Sequence, residues 1–471
     1  MSPSESSGTF DLAVVGAGSA GFAAAIAAAE RRARVLLIGH GTLGGTCVNI
    51  GCVPSKFLIR AAEAAHAGRH ARRFPGIAGD TRLVDWAALQ RAREELVTTL
   101  RREKYEALLP LYPNVRYLEG RARLRADGVE VDGRRLPARA VVIATGARPA
   151  VPPIPGIETV PVLTSTEALA LPRRPASLLV VGAGYIGCEL AQAYARFGTA
   201  VTLVCRRRLL PGLDPEVSET LTAAFAAEGI RVVTGVRYRR LRPRESGVAL
   251  EMEREGRVET LTAERLLVAT GRVPDTENLG LAELGIATDS RGFVEVDDRL
   301  RTSRPGVYAA GDVTGGPMFV YVAARQGRIA ALNALEGDRH RYAPAAVPSV
   351  VFTDPQVAAV GWSETAARAA GLEVEVRTLS LAAVPRALVA RDARGFVRMV
   401  ADRGDGRVRG VQIVAPEGAD AVQTATLALE AGFTVERLAE VLFPYLTTVE
   451  GLRLVAQTFT RDVSRLSCCA A

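Results

Sequence analysis

Apolar residues along this chain come in short bursts that end on glycine, and the bursts form two matched series. Phe10–Val15 is almost wholly apolar and runs into Gly16-Ala17-Gly18-Ser19-Ala20-Gly21. An alanine-rich helix through Glu30 and a second apolar run, Arg34–Ile38, follow. Leu178–Val181 starts the same succession again. It continues through Gly182-Ala183-Gly184-Tyr185-Ile186-Gly187, a helix to Phe197 and a strand at Ala200–Val204. Unbroken apolar runs of this length, bounded by glycine, predict parallel strands buried on both faces. Each series closes on a further strand with the same ending, Ala144-Thr145-Gly146 and Ala269-Thr270-Gly271. Helices are predicted over 57–69, 86–109 and 319–335.

From Ser349 the pattern changes. Residues 350–352, 374–379, 396–400 and 408–414 alternate in the manner of antiparallel strands, and helical periodicity returns near 420–431 and 435–442. The predicted fold is α/β: two Rossmann-like dinucleotide-binding domains followed by an α+β domain. The first takes residues 1–150 and 275–345, and the second is inserted as 151–274 behind the proline-rich stretch Pro149–Pro161. Residues 346–471 form the third, an interface domain.

The two glycine strings carry the chemistry of a dinucleotide. In each, the first two glycines permit a tight turn close to a pyrophosphate and the third allows the helix to pack on the strand. The helix N-terminus then faces the phosphates. Gly16, Gly18, Ser19, Ala20 and Gly21 are assigned to one nucleotide, with Thr145 and Gly146. Gly182, Gly184, Tyr185, Ile186, Gly187 and Gly271 are assigned to the other. Asp312 ends the strand Val307–Ala310, where a carboxylate suits a hydroxylated chain such as a ribityl group. The acid expected to bind ribose at the end of the first unit's second strand is missing, and Gly39-His40 stands there. In the second unit Cys205-Arg206-Arg207-Arg208 fills that position. Arg206 and Arg207 suit a 2′-phosphate, hence NADPH, unless they are only surface arginines.

Composition narrows the picture. The chain has 471 residues, of which 48% are hydrophobic. No apolar run is long enough to span a membrane, the first residues lack a secretory pattern, and a cytoplasmic location is expected. The net charge is +8, but the arginines are scattered and aromatics are only 5%, which argues against a nucleic-acid groove. Lysine occurs only at Lys56 and Lys104. Lys56 lies just behind Cys47-Val48-Asn49-Ile50-Gly51-Cys52, a cysteine pair placed directly after the first nucleotide unit. Of six cysteines, four fall in two close pairs, the second being Cys468-Cys469. That arrangement points to reactive thiols rather than a disulfide scaffold.

These features together resemble the FAD-dependent pyridine nucleotide–disulfide oxidoreductases over nearly the whole chain. Within that family the mercuric reductases are most similar, through Gly45-Thr46-Cys47…Cys52-Val53-Pro54-Ser55-Lys56, Phe443-Pro444-Tyr445…Glu450-Gly451 and the Cys468-Cys469 tail. The resemblance implies FAD and NADPH as cofactors and Hg(II), delivered as thiol complexes, as substrate. Cys47, Cys52, Cys468 and Cys469 become its ligands, with Cys52 toward the flavin and the tail serving the partner subunit of a homodimer. It further places Gly45, Thr46 and Lys56 at the flavin, pairs Lys56 with Glu189, and sets Tyr105 and Tyr445 beside the metal. Relatives that reduce disulfides use a histidine before the proline as a proton shuttle. Phe443 stands there, and the last of four histidines is His340. The N-terminal metal-binding domain of many relatives is expected to be absent. The alternatives are a reductase of another small disulfide or quinone, and a flavoprotein that only sequesters metal.

Overall fold

The computed structural model describes residues 8–462, so the Cys468-Cys469 pair lies outside the described residues. The chain divides into two compact units. One runs to Ser55 and takes in Ala88–Ala150 and Gly271–Ala343. The other takes in Lys56–Ala87, Val151–Thr270 and the chain from Pro344 onward.

The first unit begins with β1 (Phe10–Val15), α1 (Ser19–Ala29), β2 (Val35–Gly39), α2 (Gly45–Ile50) and the start of α3 (Cys52–Ala71). It goes on through β3 (Val115–Glu119), β4 (Ala122–Arg125), β5 (Gly128–Val131) and β6 (Arg134–Ile143). Strands β3-β2-β1-β6 run parallel in that order, and Val307–Ala309 adds in parallel on β6. The long β6 also closes an antiparallel meander with β4 and β5. Leu12, Ala13 and Val14 are fully buried, because apolar clusters cover both faces of the sheet. That two-sided cover is why the strands read as continuous apolar runs. The helix Val320–Glu336 packs on α1 almost backbone to backbone, since a Cβ on Gly327 would overlap the Ala20 carbonyl.

The second unit holds three sheets, of which two are five-stranded. One is parallel, in the order Arg231–Val233, Ala200–Val204, Ser177–Val181, Arg265–Val268, Val162–Leu163. The other is five-stranded and antiparallel, from Ser349–Val351 to Val408–Ala415. Helices Gly418–Glu430 and Glu450–Gln457 lend it apolar residues such as Val422 and Leu452.

Three elements depart from the predicted pattern. Helix α3 starts at Cys52, five residues before the periodicity suggests, because proline in the first turn of a helix gives up only an unused N–H. The helix predicted to Leu109 is α-helical only over Trp86–Arg101 and ends in a π-turn, Arg102–Glu106, with Ala107 N–H donating to Arg102 O at 2.8 Å. A three-stranded antiparallel sheet over 237–263 is not predicted at all. Its first strand, Arg237–Arg244, is arginine-rich on both faces and shows no alternation.

Candidate active site

The cysteine segment is held against the first glycine turn through the backbone. Gly44 N–H donates to Ala17 O at 3.0 Å. Gly44 and Gly45 both sit at positive φ, +95° and +66°, which glycine adopts without strain. A Cβ on Gly45 would come within 2.6 Å of the Gly18 Cα, so the two loops approach as closely as two glycines allow. Asn49 staples the segment from inside: its Nδ2 donates to Leu43 O at 2.9 Å and Gly45 O at 2.8 Å, and its Oδ1 accepts from Arg101. Cys47 is half-buried in α2, with Thr46 exposed beside it. Cys52 is exposed at the first residue of α3, where the helix dipole favours negative charge on sulfur.

Several polar groups of this unit await a partner. The Asp312 carboxylate accepts no hydrogen bond among the described residues, and burial holds it above the usual carboxylate range. Its neighbour is Arg272 Nε at 3.9 Å. Arg272 donates to Ala147 O through Nη2, but its Nε is buried without a hydrogen bond. Burial lowers its affinity for the proton, and negative charge on Asp312 and Cys52 opposes that. Thr145 Oγ1 is likewise buried and unbonded, beside Gly146 at φ +77° with open space before it. Gly16 and Gly21 are tight: a Cβ on either would overlap a backbone carbonyl, that of Ala144 or Gly16. Ser19 and Ala20 open α1 behind Gly18, with no side-chain cap and no acid in the first turn. This donor and acceptor set fits an extended dinucleotide with a hydroxylated arm: free helix N–H groups for phosphate, and Asp312, Thr145 and Arg272 for the polar remainder.

Tyr105, carried on the π-turn, packs edge-on to Phe22 with ring centroids 4.8 Å apart and lies against Gly44. Its phenol is hydrogen-bonded to Ser19. Burial first, and then negative charge on Cys47 and Cys52, hold it protonated above its usual range.

The second unit repeats the glycine geometry. A Cβ on Gly182 would overlap Ala269 O, one on Gly187 would overlap Gly182 O, and Gly184 and Gly271 face open space. Tyr185, half-buried like Ile186, is hydrogen-bonded to Ser349. Arg206 and Arg207 are exposed, while Arg208 turns back to donate to Leu213 O at 2.5 Å. The set fits a nucleotide with an additional phosphate. Cys188 and Cys205 are buried, and burial pushes the Cys205 thiol up to about 11, so neither is a ready thiolate.

Lys56 Nζ donates to Glu189 Oε2 at 2.7 Å, and Phe352 N–H donates to Glu189 Oε1 at 2.9 Å. Tyr445 stands 54% exposed in this unit. A cavity of about 490 Å³ here is lined by His66, His70, Arg196, Asp354 and Asp392 among others. None of the residues assigned from sequence lines it, so cavity size does not locate the chemistry. Among the described residues no three or more His, Cys, Asp or Glu gather as a metal cage. A soft cation in linear geometry asks only for two thiolates.

Asn49 and Arg272 were not assigned from sequence. Asn49 had a visible signal, as the polar residue inside the cysteine spacing. Arg272 directly follows the second Ala-Thr-Gly string, but nothing local shows that it belongs to the first unit.

Residues 10–327 match the family model described as pyridine nucleotide-disulphide oxidoreductase, and residues 347–456 match the dimerisation domain of the same family. The chain is 47% identical to a mercuric reductase of Shigella flexneri over 99% of its own length and 83% of that protein's. It is 45% identical to one of Streptomyces lividans over 98% of both chains. Among solved structures it is similar to the HOCl-induced flavoprotein disulfide reductase RclA from Escherichia coli. The TM-score there is 0.83 at 30% identity, covering 95% of this chain and 99% of that one.

Proposed function

The chain belongs to the pyridine nucleotide-disulphide oxidoreductases, and from that premise we propose that it reduces Hg(II) to Hg(0) at the expense of NADPH, through FAD and the Cys47/Cys52 pair. The observation that carries the reading is the backbone contact of the cysteine segment with the first glycine turn, Gly45 on Gly18. It joins a dithiol to a dinucleotide site within one unit. Relatives named for mercury reduction, at up to 47% identity over almost the whole chain, support the choice of substrate.

The first unit takes FAD and the second takes NADPH, within the three-domain division read from sequence. When bound, NADPH would supply hydride and FAD would relay two electrons toward the cysteines. The overall balance is NADPH and Hg(II) to NADP⁺, Hg(0) and one proton. The chain's own part is to hold and release the metal. Two thiolates bind Hg(II) far better than oxygen or nitrogen ligands, and the helix N-terminus at Cys52 with the nearby Arg272 cation keeps negative charge there. Lys56 lies one helical turn beyond Cys52 on α3, on the same face. Tyr105, fixed by Ser19 and Phe22, walls the site without ionising. Neutral Hg(0) is a poor partner for thiolate and leaves. No histidine stands before Pro444, which suits a reaction that needs metal ligands rather than a proton shuttle.

The match to a dimerisation domain over 347–456 supports a homodimer as the working form. In it Tyr445 and the Cys468-Cys469 tail of one subunit serve the cysteine pair of the other, collecting Hg(II) by ligand exchange. No helix among the described residues is long and apolar enough to cross a membrane, and a cytoplasmic location fits a protein that draws on NADPH.

The test is mercury-stimulated NADPH oxidation by purified, FAD-loaded protein in excess thiol, with volatile mercury collected. No stimulation above the metal-free rate sinks the reading. Replacing Cys468→Ala and Cys469→Ala together is expected to impair turnover when mercury arrives on bulky thiols and to spare it with small ones. Full activity on both removes the delivery role.

A further inference from the structure

In a first nucleotide unit an acid at the end of the second strand ordinarily accepts hydrogen bonds from the adenosine ribose. Here β2 ends on Gly39, and the following His40 is exposed. The place is not empty. A Cβ on Gly39 would lie 2.7 Å from Tyr117 Oη and 2.8 Å from the Ala17 Cβ. The phenol of the neighbouring strand therefore occupies the space a side chain at 39 would take, and its oxygen ends beside the first glycine turn.

Register explains how it gets there. In the parallel β2–β3 pair Leu37 lies opposite Tyr117 and Gly39 opposite Glu119. Tyr117 and Glu119 thus stand on the same face of the sheet as position 39. The Tyr117 ring packs into the apolar cluster on the α1 side, which fixes its direction, while its hydroxyl has no hydrogen-bond partner among the described residues. Burial, and then the charge of Glu119, hold the phenol protonated, so it both donates and accepts. Glu119 is exposed one strand over, an acceptor displaced by a single strand spacing of about 4.8 Å.

We propose that Tyr117 and Glu119 of β3 together hold the adenosine ribose of FAD in place of the missing acid at position 39. This rests on the reading that the first unit binds FAD. Gly39 is then required: any side chain there displaces the phenol.

The experiment is titration of the apoprotein with FAD, followed by flavin fluorescence, alongside thermal melting of each apoprotein. Tyr117→Phe and Glu119→Gln are each expected to raise the FAD dissociation constant about tenfold, the effect of one lost hydrogen bond of this kind. The apoprotein melting temperature should stay unchanged, since the ring and the strand remain. His40→Ala is expected to bind FAD as the unaltered protein does. FAD affinities within about twofold of the unaltered protein in both variants, or a loss in His40→Ala instead, overturn the assignment. An unaltered apoprotein that binds no FAD would overturn the underlying reading instead, so the two failures are distinct.

Discussion

Cys52→Ser is expected to lower mercury-dependent NADPH oxidation by at least about a thousandfold, in the range seen when a reacting group is removed outright, while FAD stays bound. Serine keeps the start of α3, because a small polar residue is accepted there. Its hydroxyl is neither soft nor ionised, so Hg(II) loses one of two thiolate ligands and the route for electrons from the flavin is cut. Cys47, half-buried in α2, should behave alike toward metal, since linear coordination needs both sulfurs. The measurement is paired: the visible flavin spectrum after desalting, and the initial rate with Hg(II) in excess thiol. A variant with more than about a tenth of the original rate and normal flavin content would show that the metal is reduced elsewhere.

The parts of this site that were legible in the sequence are those in which chemistry follows from local spacing. A glycine turn between an apolar run and an alanine-rich helix is a local object, and both appear where the pattern puts them, with Gly16 on Ala144 and Gly182 on Ala269 in the same relation. The Cys47/Cys52 spacing is local too. What sequence leaves out are contacts between distant segments and elements without apolar contrast. Arg272 meets Asp312 at 3.9 Å, but forty residues separate them in the chain. Asn49 was in plain view, yet its bonds to Leu43 and Gly45 depend on the turn that those bonds themselves stabilise. The strand Arg237–Arg244 could not be read because its arginines hide the alternation of a half-covered sheet. Tyr117 is the sharpest instance. Its own strand reads as ordinary, and only the register with Gly39 turns it from a packing aromatic into a group whose hydroxyl ends beside the first glycine turn.

Glu189→Ala is expected to destabilise the FAD-loaded protein by about 1 to 3 kcal/mol in urea unfolding, the usual cost of leaving a donor without its acceptor. Glu189 is 5% exposed and serves two donors, Lys56 Nζ at 2.7 Å and Phe352 N–H at 2.9 Å. Lys56 keeps 35% of its side chain exposed and also lies 4.9 Å over the Phe352 ring. The ion pair itself is thus partly screened and contributes modestly. The larger cost comes from the groups left behind: a part-buried backbone N–H without an acceptor and a cation without its counter-charge. Glu189→Gln separates the two terms. The amide oxygen still accepts from Phe352 while the charge is gone, so this variant should lose less than Glu189→Ala. Lys56→Met alone strands the buried carboxylate and should cost more than the same change made beside Glu189→Gln, where no charge remains to strand. The double variant should therefore be more stable than the sum of the single losses predicts, by about 1 kcal/mol or more. Strict additivity would mean that Glu189 is held by the Phe352 backbone alone, and that Lys56, one of two lysines among so many arginines, is retained for the chemistry beside Cys52 rather than for the fold.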